Sequence, residues 1–309
     1  MPESSRYWTY FDEAWKKIIE RFFPQFLEFF IPELYADVDF SKPFTFLDKE
    51  MEQLAQQSLG GSKFVDKLVQ VFLKDGSDRW ILVHIEVQGD EDKAFSLRMY
   101  RYFYRIFDRH GKPVVSIAIL ASFESEVATG TFELKEYGSG VEFQYLTFKL
   151  MRYEREDLEN DANPIALVIL AAQDRERLRR GRDRFNAKWY LIRKLYERGY
   201  SREEIIGLFE FIDWVLQLSD EEEGQLWEEV KTLQEENKMP YITSVERIGR
   251  RIEAQEMVLE ALDERFGQVP TPISDTIGQI RDQHRLRALH RQAIRSVSLE
   301  EFQQALNRN

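Results

Sequence analysis

Trp80-Ile81-Leu82-Val83-His84-Ile85-Glu86-Val87-Gln88 is the stretch on which the reading of this chain turns. Strand side chains alternate between faces, so Val83, Ile85 and Val87 make one wholly apolar face that belongs on a core, while His84, Glu86 and Gln88 share the other. The preceding run, Lys63 to Phe72 (KFVDKLVQVF), is also rich in β-branched and apolar residues, and Asp75-Gly76-Ser77-Asp78 between the two is turn chemistry. The spacing predicts two strands with a tight connection. Asp66, Leu68 and Gln70 share one face of the first strand, and pairing can bring Asp66 beside Glu86. Two carboxylates on adjacent strands repel in a dry site unless a cation lies between them, and ligation by oxygen alone favours Mg2+ or Mn2+ over softer metals. Each acid by itself is ordinary, Glu86 as a solvated charge on a half-exposed strand and Asp66 as an edge or turn residue.

Outward from this hairpin, residues 94–109 (AFSLRMYRYFYRIFDR) read as a helix ending near Gly111-Lys112-Pro113, on which Arg98 and Tyr102 stand i, i+4 and point together. Val114 to Phe123 (VVSIAILASF) is an almost unbroken apolar run, the pattern of a strand buried on both faces. Residues 131–134 and 141–148 add two strand candidates around Gly138-Ser139-Gly140. On the N-terminal side, Tyr7, Trp8, Phe11, Ala14, Trp15, Ile18, Ile19, Phe22 and Phe23 recur at helical spacing over 7–23. The polar face of that helix mixes Asp12, Glu13 and Glu20 with Lys16, Lys17 and Arg21, so packing on a sheet is expected rather than membrane contact.

Beyond about residue 150 strand signals stop. Helical periodicity runs from Pro164 onward, broken near Gly199, Gly224, Pro240 and Gly267 to Pro272, and Ser201-Arg202-Glu203-Glu204 has the form of a capping box. The expected organisation is a domain over 1–217, an acidic linker helix over 218–243 and a small helical domain over 244–309.

Composition narrows the chemistry. The chain has 309 residues, 32% of them charged, no cysteine and four histidines. Disulfides, thiolate zinc sites and cysteine nucleophiles are excluded together. No apolar run approaches the ~20 residues of a membrane-spanning helix, and the opening MPESSRYWTYFDEAW lacks the pattern of an export signal, so a cytoplasmic protein without membrane contact is expected. Gly60-Gly61-Ser62-Lys63 lacks the upstream glycine of a phosphate-cradling loop, and no Gly-x-Ser-x-Gly elbow occurs. The net charge of −12 is clumped: Glu210 to Glu236 holds ten acids against one lysine, whereas Asp174 to Glu204 holds eleven Lys/Arg against six acids. Arg179, Arg180, Arg182 and Arg184 are therefore candidate phosphate contacts, against the alternative of a helix face paired with Asp174, Glu176 and Asp183.

The series Asp66, His84-Ile85-Glu86-Val87-Gln88, Arg98-Met99-Tyr100-Arg101-Tyr102 and an apolar strand at 114–121 resembles, in order and spacing, the recombination-promoting nuclease and transposase-like (Rpn) family of the PD-(D/E)XK superfamily. The likeness covers roughly residues 10–215, and FNAKWYLIRKLYERGYSREEIIGLFEFIDW (185–214) resembles the helical tail of that family. EMVLEALDERFGQVP (256–270) and the SLEEFQQAL ending are similar to a small helical domain of unknown function that follows such nucleases in cyanobacterial proteins. The resemblance implies a restriction-endonuclease-like fold of the α+β or α/β class, a mixed central sheet flanked by helices followed by an all-helical region. It also implies a metal-dependent DNA endonuclease associated with recombination or mobile elements.

Carried over by position, Asp66 and Glu86 would bind Mg2+ or Mn2+ with the backbone carbonyl of Val87, and Arg98 and Tyr102 would complete the catalytic group. Glu50 or Glu52 is the candidate for a further acidic ligand. Gln88 stands at the superfamily's lysine position. A neutral amide can only exchange hydrogen bonds where lysine would stabilise developing charge, so activity is expected to lean on Arg98, and a nuclease-derived scaffold that binds DNA or protein without cutting stays open. A further expectation is a homodimer through the helical half, where Leu216, Leu226, Trp227, Val230 and Leu233 form an apolar stripe.

Overall fold

The computed structural model describes residues 14–47, 65–75, 80–88, 94–123, 125, 130–178, 182–237, 242–267, 269–280 and 283–307. The chain divides into two units, Met1–Glu222 and Glu223–Asn309. The boundary falls inside the acidic helix Asp220–Asn237.

The first unit is built on a five-stranded mixed sheet. After α1 (residues 14–21), α2 (Phe23–Phe30) and α3 (Pro32–Asp37) come β1 (Thr45–Phe46), β2 (Val65–Phe72) and β3 (Trp80–Gln88). The helix α4 (Phe95–His110) then crosses to β4 (Val114–Leu120). Strands β1, β2 and β3 pair antiparallel, while β4 lies parallel to β3 and to β7 (Leu146–Lys149), giving the order β1-β2-β3-β4-β7. Since β3 and β4 are parallel, the chain must return over the sheet between them, and α4 is that return. Gly111, with φ of 59°, ends α4 in the left-handed conformation, its N–H donating to Phe107 O at 2.7 Å.

Both faces of the sheet are covered. Val69, Val71, Val83, Ile85 and Val87 are buried on the face that carries Lys67, whose ammonium pairs with Glu20 of α1. Phe30 of α2 packs on Phe148 of β7 with ring centres 4.8 Å apart. On the other face Tyr102 and Ile106 of α4 cluster with Leu68, and Phe95 and Met99 with Ala118 and Leu120. Strand β4 is thus buried on both sides from Ser116 to Leu120, as its unbroken apolar run requires.

Two expected elements divide. The helix expected over 7–23 turns at Phe22, because Pro24 opens α2 in its first turn, where a missing N–H costs nothing; residues 7–13 lie outside the described residues. The strand expected over 141–148 is two strands: β6 (Ser139–Gln144) pairs with β5 (Thr131–Glu136) as a separate hairpin, and β7 joins the main sheet. Tyr145 is the pivot. Its N–H donates to Gly130 O at 2.9 Å, its hydroxyl lies 2.8 Å from that of Ser96, and its ring packs on Phe95 and Phe143. The β5–β6 turn, Tyr137-Gly138, has φ of 49° and 85°, the two positive values a tight hairpin turn with the strands' own twist demands.

The rest of the unit is helical: a 3-10 turn at Leu150–Arg152, α5 (Arg155–Asn160), α6 (Pro164–Arg177), α7 (Arg182–Glu197) and α8 (Arg202–Val215). Helix α6 is buried all round from Pro164 to Asp174 and is capped by Asn163, whose side-chain oxygen accepts from Ile165 N at 2.9 Å. The capping box is present, Ser201 Oγ accepting from Glu204 N and the Glu204 carboxylate from Ser201 N. Lys188, fully buried, donates to Asp213 at 2.6 Å and ties α7 to α8.

From the acidic helix α9 (Asp220–Asn237) the chain continues into α10 (Ile242–Phe266), α11 (Thr271–Gln279), α12 (Gln283–Arg295) and α13 (Leu299–Asn307). Helices α10 to α13 enclose their own core around Val258, Leu262, Ile277, Leu286, Ala293 and Phe302. Of the apolar stripe considered for self-association, Leu216, Leu226 and Val230 are buried within the chain, and the side chains of Trp227 and Leu233 lie outside the described residues. No helix among the described residues is long and apolar enough to cross a membrane.

Candidate functional site

The β2–β3 register sets Asp66 directly opposite Glu86 and Leu68 opposite His84. Opposed residues of an antiparallel pair project to the same face with Cβ atoms about 5 Å apart. The face is fixed by neighbours that are described: Leu68, two residues from Asp66, lies under Tyr102 and Ile106, and Ala118, which pairs with Glu86 on its other side, lies under Phe95 and Met99. Positions 66 and 86 therefore belong to the face of the sheet that α4 covers. It also lies toward the carboxyl ends of the parallel strands β3, β4 and β7, the edge at which open sheets carry their ligand sites. The side chains of Asp66, His84, Glu86 and Gln88 are outside the described residues, as are Glu50 and Glu52 altogether.

Tyr102 and Arg98 can be located against this pair by their rise. Tyr102 is at the level of Leu68, 4% exposed, its ring serving the core. Moving from Leu68 to Asp66 advances about 7 Å toward the carboxyl end of β3. Moving from Tyr102 to Arg98 advances about 6 Å the same way, because α4 runs back against β3. Arg98 thus comes to the level of the two acids, half-buried, with its guanidinium 5.0 Å from the Phe95 ring centre.

Val87, named as a backbone ligand, pairs with Val65 on one side and Ile119 on the other. A carbonyl oxygen has two lone pairs, so a ladder bond does not use up its capacity to meet a cation. Taken as donors, Asp66, Glu86 and the Val87 carbonyl form an all-oxygen set that fits a small hard divalent ion. Among the described residues no group of three or more Asp, Glu or His is placed to hold a metal.

Gln88 aligns with Leu120 of β4, and Leu120 with Lys149 of β7. Lys149, half-buried, is therefore a cation on the Gln88 row, two strands or roughly 10 Å away. Sequence reading missed it because 141–148 looks like one continuous strand, and the break at Tyr145 that sends β7 into the main sheet depends on Gly130 and Ser96.

The arginine stretch is only partly described. Arg179 and Arg180 lie outside the described residues, as does the side chain of Arg182. Arg184 turns inward, donating to the carbonyls of Arg175 and Leu178 at 3.4 and 3.1 Å, and so serves the end of α6. Asp174 pairs with Arg155 at 2.6 Å.

Comparison of the chain with protein-family models, curated proteins and solved structures gives no match.

Proposed function

We propose that the first unit is a metal-dependent DNA endonuclease with a restriction-endonuclease-like fold, related to the recombination-promoting nucleases and acting in the cytoplasm. The observation that carries the reading is the cross-strand partnership of Asp66 with Glu86, at the carboxyl edge of a mixed sheet and level with Arg98 of α4. Asp66, Glu86 and the Val87 carbonyl would hold Mg2+ or Mn2+. When bound, such an ion polarises a phosphoryl oxygen and lowers the pKa of an attached water. The chain's own groups do the rest. Arg98 neutralises charge on the phosphate, Gln88 orients by hydrogen bonds, and the α4 cover excludes bulk water from the inner side of the pair.

Gln88 favours a second reading, a nuclease-derived scaffold that binds DNA without cutting, because the position lacks the positive charge a lysine would bring. Incubation of supercoiled plasmid with the protein in Mg2+, Mn2+ or EDTA, alongside Asp66→Ala and Glu86→Ala, separates the two. Nicking by the wild type in metal alone, with both variants silent, supports the endonuclease; binding by all three with no nicking supports the scaffold.

A further inference from the structure

We propose that the outward face of α12 grips the phosphate backbone of a nucleic acid, which gives the second unit a binding role of its own. Helix α12 turns Leu286, Leu289 and Ala293 into the core of that unit, so its opposite face is held outward. On it stand Arg287, Arg291 and Arg295, at i, i+4 and i+8, all exposed. None of the three side chains makes a hydrogen bond or ion pair among the described residues, and the helix contains no Asp, Glu or Lys. Nearby arginines are used otherwise: Arg285 donates to Leu306 O at 2.9 Å and Arg265 to Ala293 O at 3.4 Å, holding the helices of the unit together. Structural and unengaged arginines are thus separated on one short helix.

The charge around the stripe suits a polyanion. Residues 242–309 carry ten Lys/Arg and ten Asp/Glu, so the whole net charge of −12 lies before them. From Arg287 to Arg295 is about 12 Å of helix, which faces three to four phosphates at about 3.4 Å each along one strand of a duplex. Guanidinium forks bind phosphate in two-bond pairs that an ammonium cannot match. A membrane surface fits less well, since a helix lying on lipid needs its apolar face for the bilayer, and α12 has committed that face to the core. The acidic helix of a second copy also fits less well, because Glu222, Glu223 and Glu228 already have partners.

The inference rests on the endonuclease reading only for the kind of polyanion. Its test uses the full chain in EDTA, a fluorescent duplex and anisotropy titrations from about 50 to 200 mM salt, comparing wild type with Arg287→Gln/Arg291→Gln/Arg295→Gln and with the corresponding triple lysine variant. Three lost phosphate contacts lower the salt slope by about 2.7, so the wild type should lose about 40-fold more affinity over that range than the glutamine variant; the lysine variant should keep the wild-type slope. A glutamine variant with the wild-type slope, or a wild type that does not bind the duplex, overturns the proposal. So does light scattering that shows a changed mass with DNA binding untouched, which would make a second copy the occupant. Plasmid nicking by the same proteins separates the two readings. A nicking wild type whose glutamine variant keeps its slope discards the grip alone, and a slope lost in a protein that nicks under no metal discards the hydrolase alone.

Discussion

Asp66→Asn should stabilise the metal-free protein, and the size of the effect follows from the register. Cross-strand partners such as Asp66 and Glu86 have Cβ atoms about 5 Å apart. Two negative charges at that separation repel by about 0.8 kcal/mol in a water-like dielectric and about 3 kcal/mol at the effective dielectric of a partly covered site. An isosteric amide removes that repulsion, and for a unit of some 220 residues each kcal/mol moves the melting temperature by about 2–4 °C. In EDTA the variant should therefore melt about 2–12 °C above wild type by calorimetry. Mg2+ at 100 times its dissociation constant should raise the wild type by about 2.7 kcal/mol and leave the variant unmoved, closing the gap. Glu86→Gln should behave alike, and the double variant should gain nothing beyond either single one, since one neutral partner already abolishes the repulsion. A variant melting at or below wild type in EDTA, or a Mg2+ shift equal in both, refutes the shared site whatever the nicking assay shows.

Gln88→Lys should raise the metal-dependent nicking rate by about tenfold or more, some 1.4 kcal/mol of added stabilisation of developing charge; an unchanged rate in single-turnover assays means that charge at this position is not limiting. Arg155→Met strands Asp174, whose side chain is 6% exposed, and should cost about 3 kcal/mol near neutral pH, the low end for a broken buried pair because Arg155 is itself partly exposed. Burial raises the Asp174 carboxyl above its ordinary value while Arg155 draws it back. Its pKa climbs further in the variant, so the folded carboxyl takes up its proton before the unfolded one. The variant's deficit is therefore full near pH 7 and shrinks on acidification toward about pH 5, as urea melts will record. Tyr196→Phe should stabilise by about 1 kcal/mol in urea melts, because the Tyr196 hydroxyl is buried with no partner among the described residues and burial pushes its pKa up; a loss of similar size would reveal a partner.

What could be read from the sequence was set by short-range periodicity. The alternation in 80–88 fixes which residues share a face, and the turn at 75–78 makes antiparallel pairing the natural outcome, so the opposition of Asp66 and Glu86 needed no knowledge of distant parts. The apolar run at 114–120, buried from Ser116 onward, and the capping box at Ser201 were legible for the same reason. Tyr145 was not, since its choice of sheet depends on Gly130 and Ser96, 15 and 49 residues away, and the strand signal on either side of it is unbroken. Arginines show the limit most clearly. By spacing, Arg184, Arg285 and Arg287 are equivalent members of basic helices, yet the first two close helix ends through carbonyls 6 to 21 residues distant and the third stands free in solvent. Charge composition says how much positive charge a segment holds; only the backbone that receives it decides whether that charge is spent inside the fold or remains for a partner. On α12 the charge remains for a partner, because Arg287, Arg291 and Arg295 lie on the exposed face of a helix whose apolar side is committed to the core.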